Sequence, residues 1–208
     1  MTSWQETALA LQHIKRYHMH DMSRTQNVAE HSYNVTMLVL ETALWLSEEK
    51  RTAGFGEGIA MQPYREAGIL SVLIRALVHD LPECFTGDLD YMVKSRMNDS
   101  WKEMENKVFI DFLVDKLPTY MKSHVMKAWM YRDETNLDYC IIKQADYLEL
   151  THYCIDDAQR GNRKSLGIAE NGFRVTHKYD HKDLESVECP LRILESSLKV
   201  KFRRLGEG

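Results

Sequence analysis

The sequence is poor in the residues that punctuate a chain. Its 208 residues include only 4 prolines and 10 glycines. That is too few breakers for many short strands, so long helices are expected. Strict apolar–polar alternation is nearly absent, which removes the usual signature of half-buried strands. No stretch approaches the ~18 apolar residues that a membrane-spanning helix requires. A cationic excess is missing too: Lys and Arg number 27 against 31 Asp and Glu, for a formal net charge of −4. A general binder of nucleic-acid polymers carries the opposite balance, whereas one small nucleotide needs only a local cation or two. The four cysteines, Cys84, Cys140, Cys154 and Cys189, are dispersed and form no CxxC pair. The opening MTSWQETALALQHIKRYH lacks a basic segment followed by an apolar run and a small-residue cleavage site. Cytoplasmic residence with reduced thiols is therefore expected. No internal repeat or low-complexity segment is present.

What remains is a soluble-type composition, 44% apolar and 28% charged, long enough for one domain with a sizeable core. Val35, Leu38, Val39, Thr42, Trp45 and Leu46 recur at helical spacing behind Asn27, a suitable cap. The glycine-bearing segment Thr52 to Pro63 is predicted to be a loop. Leu70, Leu73, Ile74, Leu77 and Val78 are predicted to form the apolar stripe of a second helix, which Pro82 stops or bends. Trp101, Met104, Val108 and Phe112 outline a third helix, ended near Pro118. A shorter one carries Val125, Met126, Trp129 and Met130. A long helix follows through Leu137, Cys140, Ile141, Gln144, Leu148, Thr151 and Ile155, up to Gly161. GNRKSLGIAENG reads as a polar loop, and the last helix starts near Pro190 with Leu191, Leu194, Leu198 and Phe202 on it. With an N-terminal helix from about Ser3 to Tyr17, the expected fold is one all-α domain.

Two His-Asp dipeptides occur. His20–Asp21 lies in RYHMHDMSR, with no apolar stripe around it, and is expected to be a solvated turn. His79–Asp80 ends the apolar helix GILSVLIRALVHD. A partly buried carboxylate there needs a cation or hydrogen bonds, and a bound metal satisfies both residues at once. His31 lies four residues before Val35 and shares its helix face; a core histidine bonded to a backbone carbonyl is the competing reading. Asp146 lies inside the apolar helix IIKQADYLEL, where an ion pair with Lys143 or Arg160 competes. Together the four offer two imidazoles and two carboxylates. Such a set suits one divalent ion among Co, Mn, Mg, Zn, Fe and Ni without choosing among them.

The order His31, then His79–Asp80, then Asp146 resembles the HD-domain phosphohydrolases. RTQNVAEHS, HDLPECFTGDLDYMVK and KQAD followed by a helix resemble, in the same order, the bacterial YfbR-type 5′-deoxynucleotidases and related phage deoxynucleoside triphosphohydrolases. The blocks run from Arg16 to Asn162. The resemblance implies a single HD-domain helical bundle over 1–208, with its motifs at about 16–162 and a C-terminal helical extension at about 164–208. It implies that His31, His79, Asp80 and Asp146 hold the metal. Glu83 would be the general acid/base beside it, and Asp88 would contact the sugar or support the site. Arg16 and Lys94 would bind phosphate, and Tyr17 would stand against the nucleoside. It implies a small nucleotide as partner, no nucleic-acid polymer, no membrane and at least a homodimer; if the chain is phage-encoded, its compartment is the host cytoplasm.

The pattern also departs from the family. Where relatives often read GDLPTPVK, this chain has GDLDYMVK, with Asp90 and Met92 in place of both prolines. Those prolines shape the loop beside the sugar, so discrimination against the ribose 2′-hydroxyl is left open. Asp90 adds negative charge that would disfavour a long polyphosphate or recruit another cation. The expected reaction is hydrolysis of a deoxyribonucleoside 5′-monophosphate to nucleoside and phosphate. Hydrolysis of a deoxynucleoside triphosphate such as dATP is the alternative. A non-catalytic nucleotide-binding regulator and a structural helical protein are the readings from other classes.

Overall fold

Local caps set where the principal helices begin. In this computed structural model, which describes residues 4–52, 66–97, 99–130 and 136–207, Asn27 Oδ1 accepts the backbone N–H of Glu30 at 2.8 Å. That bond satisfies one of the free donors at the start of helix α2, Val28–Thr52. Asn136 caps α8, Leu137–Gln159, by accepting from the Tyr139 N–H. Pro190 opens α10, Pro190–Gly206, where its missing N–H costs nothing. The remaining helices are α1 (Trp4–Ala10), α3 (Glu66–Val78), the one-turn α4 (Glu83–Thr86), α5 (Tyr91–Arg96), α6 (Asp99–Val108), α7 (Thr119–Met130) and α9 (Ser165–Thr176). Among the described residues there is no sheet, only an isolated bridge between Lys15 and Asn27. Nor is any described helix long and apolar enough to cross a membrane. The fold is the all-α bundle expected.

Two apolar clusters hold it. The larger joins α2, α3, α8, α9 and α10 through residues such as Val39, Val72, Ile141, Leu148, Phe173 and Leu198. The smaller gathers Leu11, Val78, Leu81, Phe109, Leu113 and Trp129. Within it, α6 passes into a wider π turn, Phe109–Leu113, which lays Phe109 flat on Trp129 with ring centroids 4.0 Å apart.

Three expectations need correction. First, α1 ends at Ala10 with a tight turn at Leu11–His13, so Arg16 and Tyr17 are not helical. Ile14 and Arg16 instead exchange backbone hydrogen bonds with Val28 and Gln26. Second, the predicted stripe of α3 holds only in part, since Leu73, Ile74 and Val78 pack inward but two of its leucines do not. Leu70 and Leu77 are more than half exposed, because α3 turns Val72 and Ala76 to the larger cluster and Ile74 and Val78 to the smaller. Arg75 takes the buried place between, its guanidinium over the Tyr139 ring. Third, GNRKSLGIAENG is not a loop throughout: only Gly161–Lys164 lie outside the helix that Ser165 begins. The loop expected from Thr52 to Pro63 lies, beyond Thr52, outside the described residues.

Alpha9 is helical despite its glycines because packing overrides propensity. Ala169, Gly172, Phe173 and Val175 are buried against neighbouring helices. Gly172 permits the closest approach, since a Cβ built there would meet Thr151 Oγ1 at 2.3 Å and Leu150 Cδ2 at 3.0 Å. The Thr151 hydroxyl is fixed by donating to the Tyr147 carbonyl. Gly172→Ala is therefore expected to lower unfolding free energy by about 1–3 kcal/mol despite alanine's better helix propensity. Equilibrium denaturation in urea checks this.

Candidate active site

Three separate elements bring the polar cluster together. His31 stands in the first turn of α2, His79 and Asp80 follow the end of α3, and Asp146 lies midway along α8. The Nε2 atom of fully buried His31 lies 3.5 Å from Asp80 Oδ2 and 3.2 Å from Asp146 Oδ1. His79 Nε2 lies 3.3 Å from the same Asp80 oxygen. Donor atoms of His31, His79 and Asp146 all fall within 4.8 Å of one another. Both Nε2 atoms are buried and lack a hydrogen-bond partner. Two orphaned imidazole nitrogens facing carboxylate oxygens are what a divalent ion would satisfy, so the donor set fits a single ion.

Both Nδ1 atoms are occupied, which fixes the rings. His79 Nδ1 donates to the Ala76 carbonyl at 2.6 Å. His31 Nδ1 donates to the Glu149 carboxylate at 2.6 Å. That carboxylate, itself buried, also accepts from Gln26 Nε2 at 2.6 Å and Asn34 Nδ2 at 3.0 Å. Sequence reasoning missed Glu149, Gln26 and Asn34. A signal existed: Glu149 follows Asp146 by one helical turn, inside an apolar helix where a lone carboxylate is costly.

The charges shape the protonation. Burial and Arg16 oppose a proton on His31, but Glu149 and Asp146 outweigh them and hold its pKa up at about 9. Burial would raise the Asp80 carboxyl, yet His79 and His31 keep it well below the usual carboxylate range. Lys143 and His31 do the same for Asp146, with Lys143 Nζ 3.0 Å from Asp146 Oδ2. The ion pair weighed against a metal role for Asp146 thus exists on one oxygen, while the other faces His31; Arg160 pairs with Asp156 instead.

Two measurements test this inner shell. A metal ion must displace the His31 proton, so uptake below pH about 9 should release a proton and tighten as pH rises. Titration calorimetry in two buffers of different ionisation enthalpy reads the protons released. Glu149→Gln keeps the shape but weakens the grip on His31, and is expected to cost about 10–100-fold in metal affinity. Competition with a chromogenic chelator measures it.

The cluster forms part of the wall of a cavity of about 560 Å³. Pro82 starts α4 and sets Glu83 inside it, almost fully buried. One Glu83 oxygen accepts from Lys94 Nζ at 3.0 Å and the other has no partner. Burial and the charge of Asp80 push the Glu83 carboxyl up to about 8 against the pull of Lys94. Lys94 also lies over the Trp101 ring, 5.1 Å from its centroid. Arg16 reaches the cavity with Nε and Nη1 buried and unpartnered. Tyr17, at φ 57°, stacks on Tyr153 and packs against the larger core while also lining the cavity. Asp88 accepts the Tyr17 backbone N–H at 3.1 Å. Of the site residues that the resemblance implies, Arg16, Tyr17, His79, Asp80, Glu83, Asp88, Lys94 and Asp146 therefore line this one cavity, and His31 lies directly behind it. Expected to be a solvated turn, His20–Asp21 is indeed exposed, but His20 also lines the cavity and bonds Asp90 at 2.7 Å.

Known proteins share this arrangement of helices. The model of the "5′-deoxynucleotidase YfbR-like" family matches residues 4–197. A 5′-deoxynucleotidase of Erwinia tasmaniensis is 30% identical over 156 residues, covering 74% of this chain and 72% of its own. A dATP triphosphohydrolase of Salmonella phage PMBT28 is 35% identical over 183 residues, covering 86% and 81%. Among solved structures, an HD-domain phosphohydrolase from Listeria innocua superposes with a TM-score of 0.63 at 19% identity, over 95% of this chain and 97% of that one. An HD phosphohydrolase of cyanophage S-2L, bound to dA and one catalytic Zn2+ ion, gives a TM-score of 0.52 at 16% identity over 100% and 99%. The helical fold is shared with HD-domain proteins, and the His/His/Asp cluster is a site able to hold a divalent metal; with the family match over residues 4–197, the chain is an HD-domain phosphohydrolase. Within that class the chain belongs to the YfbR-like 5′-deoxynucleotidase family.

Proposed function

We propose that this enzyme hydrolyses deoxyribonucleoside 5′-monophosphates to deoxynucleoside and orthophosphate. The observation that carries the reading is the convergence of two orphaned imidazole nitrogens, two carboxylates and the unpartnered Arg16 guanidinium on one cavity. The names borne by relatives, a 5′-deoxynucleotidase and a dATP triphosphohydrolase, point to a nucleotide as the phosphate ester. His31, His79, Asp80 and Asp146 would hold the ion. When bound, a divalent ion there supplies Lewis-acid activation of water and of the phosphoryl group.

The protein's own side chains do the rest. Arg16 presents two N–H groups that need acceptors, and phosphoryl oxygens supply them with the geometry a guanidinium prefers. Lys94 adds a point charge beside Glu83. Glu83, with its pKa raised to about 8, carries a proton near neutrality and can pass it to the leaving sugar oxygen. Asp88 acts on the substrate through Tyr17, whose backbone it holds at the cavity wall. Tyr17 is at once a core residue and a wall of the nucleoside space.

A second reading, a dATP triphosphohydrolase, is favoured by the 35% identity to the phage enzyme of that name. Both reactions use the same inner shell and break the same bond, between the 5′ oxygen and the α-phosphorus, and they differ only in whether that phosphorus carries two further phosphates. dAMP plus water gives deoxyadenosine and orthophosphate, whereas dATP plus water gives deoxyadenosine and triphosphate. Side-by-side product analysis with dAMP, dATP and AMP, under Mg, Mn, Co and Zn in turn, separates the readings. Orthophosphate from dAMP is the expected result. Triphosphate from dATP with dAMP untouched would replace it by the second reading.

A further inference from the structure

The turn that presents Arg16 is held in a conformation its next residue resists. Tyr17 has φ 57°, and a bulky side chain in that left-handed region persists only where its surroundings over-determine it. Several contacts do so close by. The Tyr17 N–H donates to Asp88 and the His20 N–H donates to the Tyr17 carbonyl at 2.8 Å. The Tyr17 ring stacks on Tyr153 with centroids 5.3 Å apart. At the far end of the segment, the Ser23 N–H and hydroxyl both donate to the buried carboxylate of Asp157. Asn162 then ties Asp157 to the Asp21 carbonyl.

Between these anchors, one side-chain bond crosses the mouth of the cavity. His20 Nε2 meets Asp90 Oδ2 at 2.7 Å, joining two loops 70 residues apart in sequence. Both residues line the cavity, and Asp90 stands where the related sequence pattern has a proline, which could make no such bond. A single side-chain bond at the surface contributes little to global stability. What this pair can do is hold one rim of the cavity against the other, beside the strained residue that follows Arg16.

We propose that His20 and Asp90 are positioning residues, a latch across the cavity mouth that keeps the 17–22 turn closed and so holds the Arg16 guanidinium in place for the phosphate of a nucleotide. The substrate in this statement rests on the nucleotide reading above; the latch itself rests on the geometry. Neither residue touches the reacting atoms, so the effect falls on substrate binding and leaves the chemical step alone.

The test compares His20→Ala, Asp90→Ala, the double variant and Asp90→Asn in the Mn2+-loaded enzyme. Each alanine variant is expected to raise KM for dAMP about fivefold, the worth of one ordinary hydrogen bond. In all of them kcat should stay within about twofold and the thermal midpoint should not move. The double variant should be no worse than either single one, because a latch can be lost only once. Asp90→Asn keeps an acceptor for the imidazole N–H and should restore KM to near the original value. Hydrogen exchange supplies a reading without turnover: the Tyr17 and His20 amides of the nucleotide-free protein should exchange about fivefold faster in Asp90→Ala. Unchanged exchange overturns the latch, as do single effects that multiply in the double variant. If the unaltered enzyme turns over neither dAMP nor dATP, the nucleotide reading falls and the exchange result alone decides the latch.

Discussion

Asp80→Ala is expected to remove bound metal and to lower kcat by at least about a thousandfold, since the uncatalysed attack of water on a phosphate ester is very slow without Lewis-acid activation. Asp80 presents one oxygen to both imidazoles, 3.5 Å from His31 Nε2 and 3.3 Å from His79 Nε2. The helical content should be unaffected, because Asp80 lies past the end of α3 and belongs to no helix. Elemental analysis, circular dichroism and turnover on one preparation check the three parts together. Turnover above about one per cent of the original in a variant shown to be metal-free would contradict the metal-dependent mechanism.

Glu83→Gln separates proton transfer from metal binding. The amide keeps the shape, and its oxygen still accepts from Lys94, but it carries no titratable proton. A loss in kcat of about 10²–10⁴-fold is expected, with metal content unchanged. Stability should move the other way. The Glu83 pKa rises on folding from its ordinary value of 4.5 to about 8, so at neutral pH the folded state holds a proton that the unfolded chain has released. A carboxyl raised in this sense costs stability above its unfolded pKa. A neutral amide at the same place escapes that cost, so the variant should melt at the same temperature as the parent or higher at pH 7. A fall in both melting temperature and metal content would instead assign Glu83 a structural task.

The polar cluster was legible in the sequence because each of its members interrupts an apolar helix or closes one. His31 shares a face with Val35, His79 and Asp80 follow the apolar run of α3, and Asp146 breaks the buried stripe of α8. What was not legible depends on contacts between distant segments. Glu149 shows its task only when Gln26, His31 and Asn34 surround it. The misreading of α9 has the same origin. Gly167, Gly172 and the polar residues around them lower helix propensity, and only the close approach of Gly172 to Thr151 on α8 explains why a glycine serves there. The stripe of α3 was right at Leu73, Ile74 and Val78 and wrong at Leu70 and Leu77, because the helix faces two apolar clusters and not one. The left-handed turn at Tyr17 left no trace in composition at all, since tyrosine gives no local reason to adopt it.

The different partners of the two imidazoles have a consequence for the ion itself. His31 leans on an anionic carboxylate, and His79 on a neutral peptide carbonyl. An imidazole whose N–H points at a carboxylate takes on part of the character of an imidazolate, and its other nitrogen becomes the stronger electron donor. The two nitrogen ligands are thus chemically unequal although they are the same residue type. An ion placed between them would sit in an electronically lopsided field, with its electron density drawn mainly from the α2 side and its Lewis acidity set by how firmly Gln26 and Asn34 restrain the charge of Glu149.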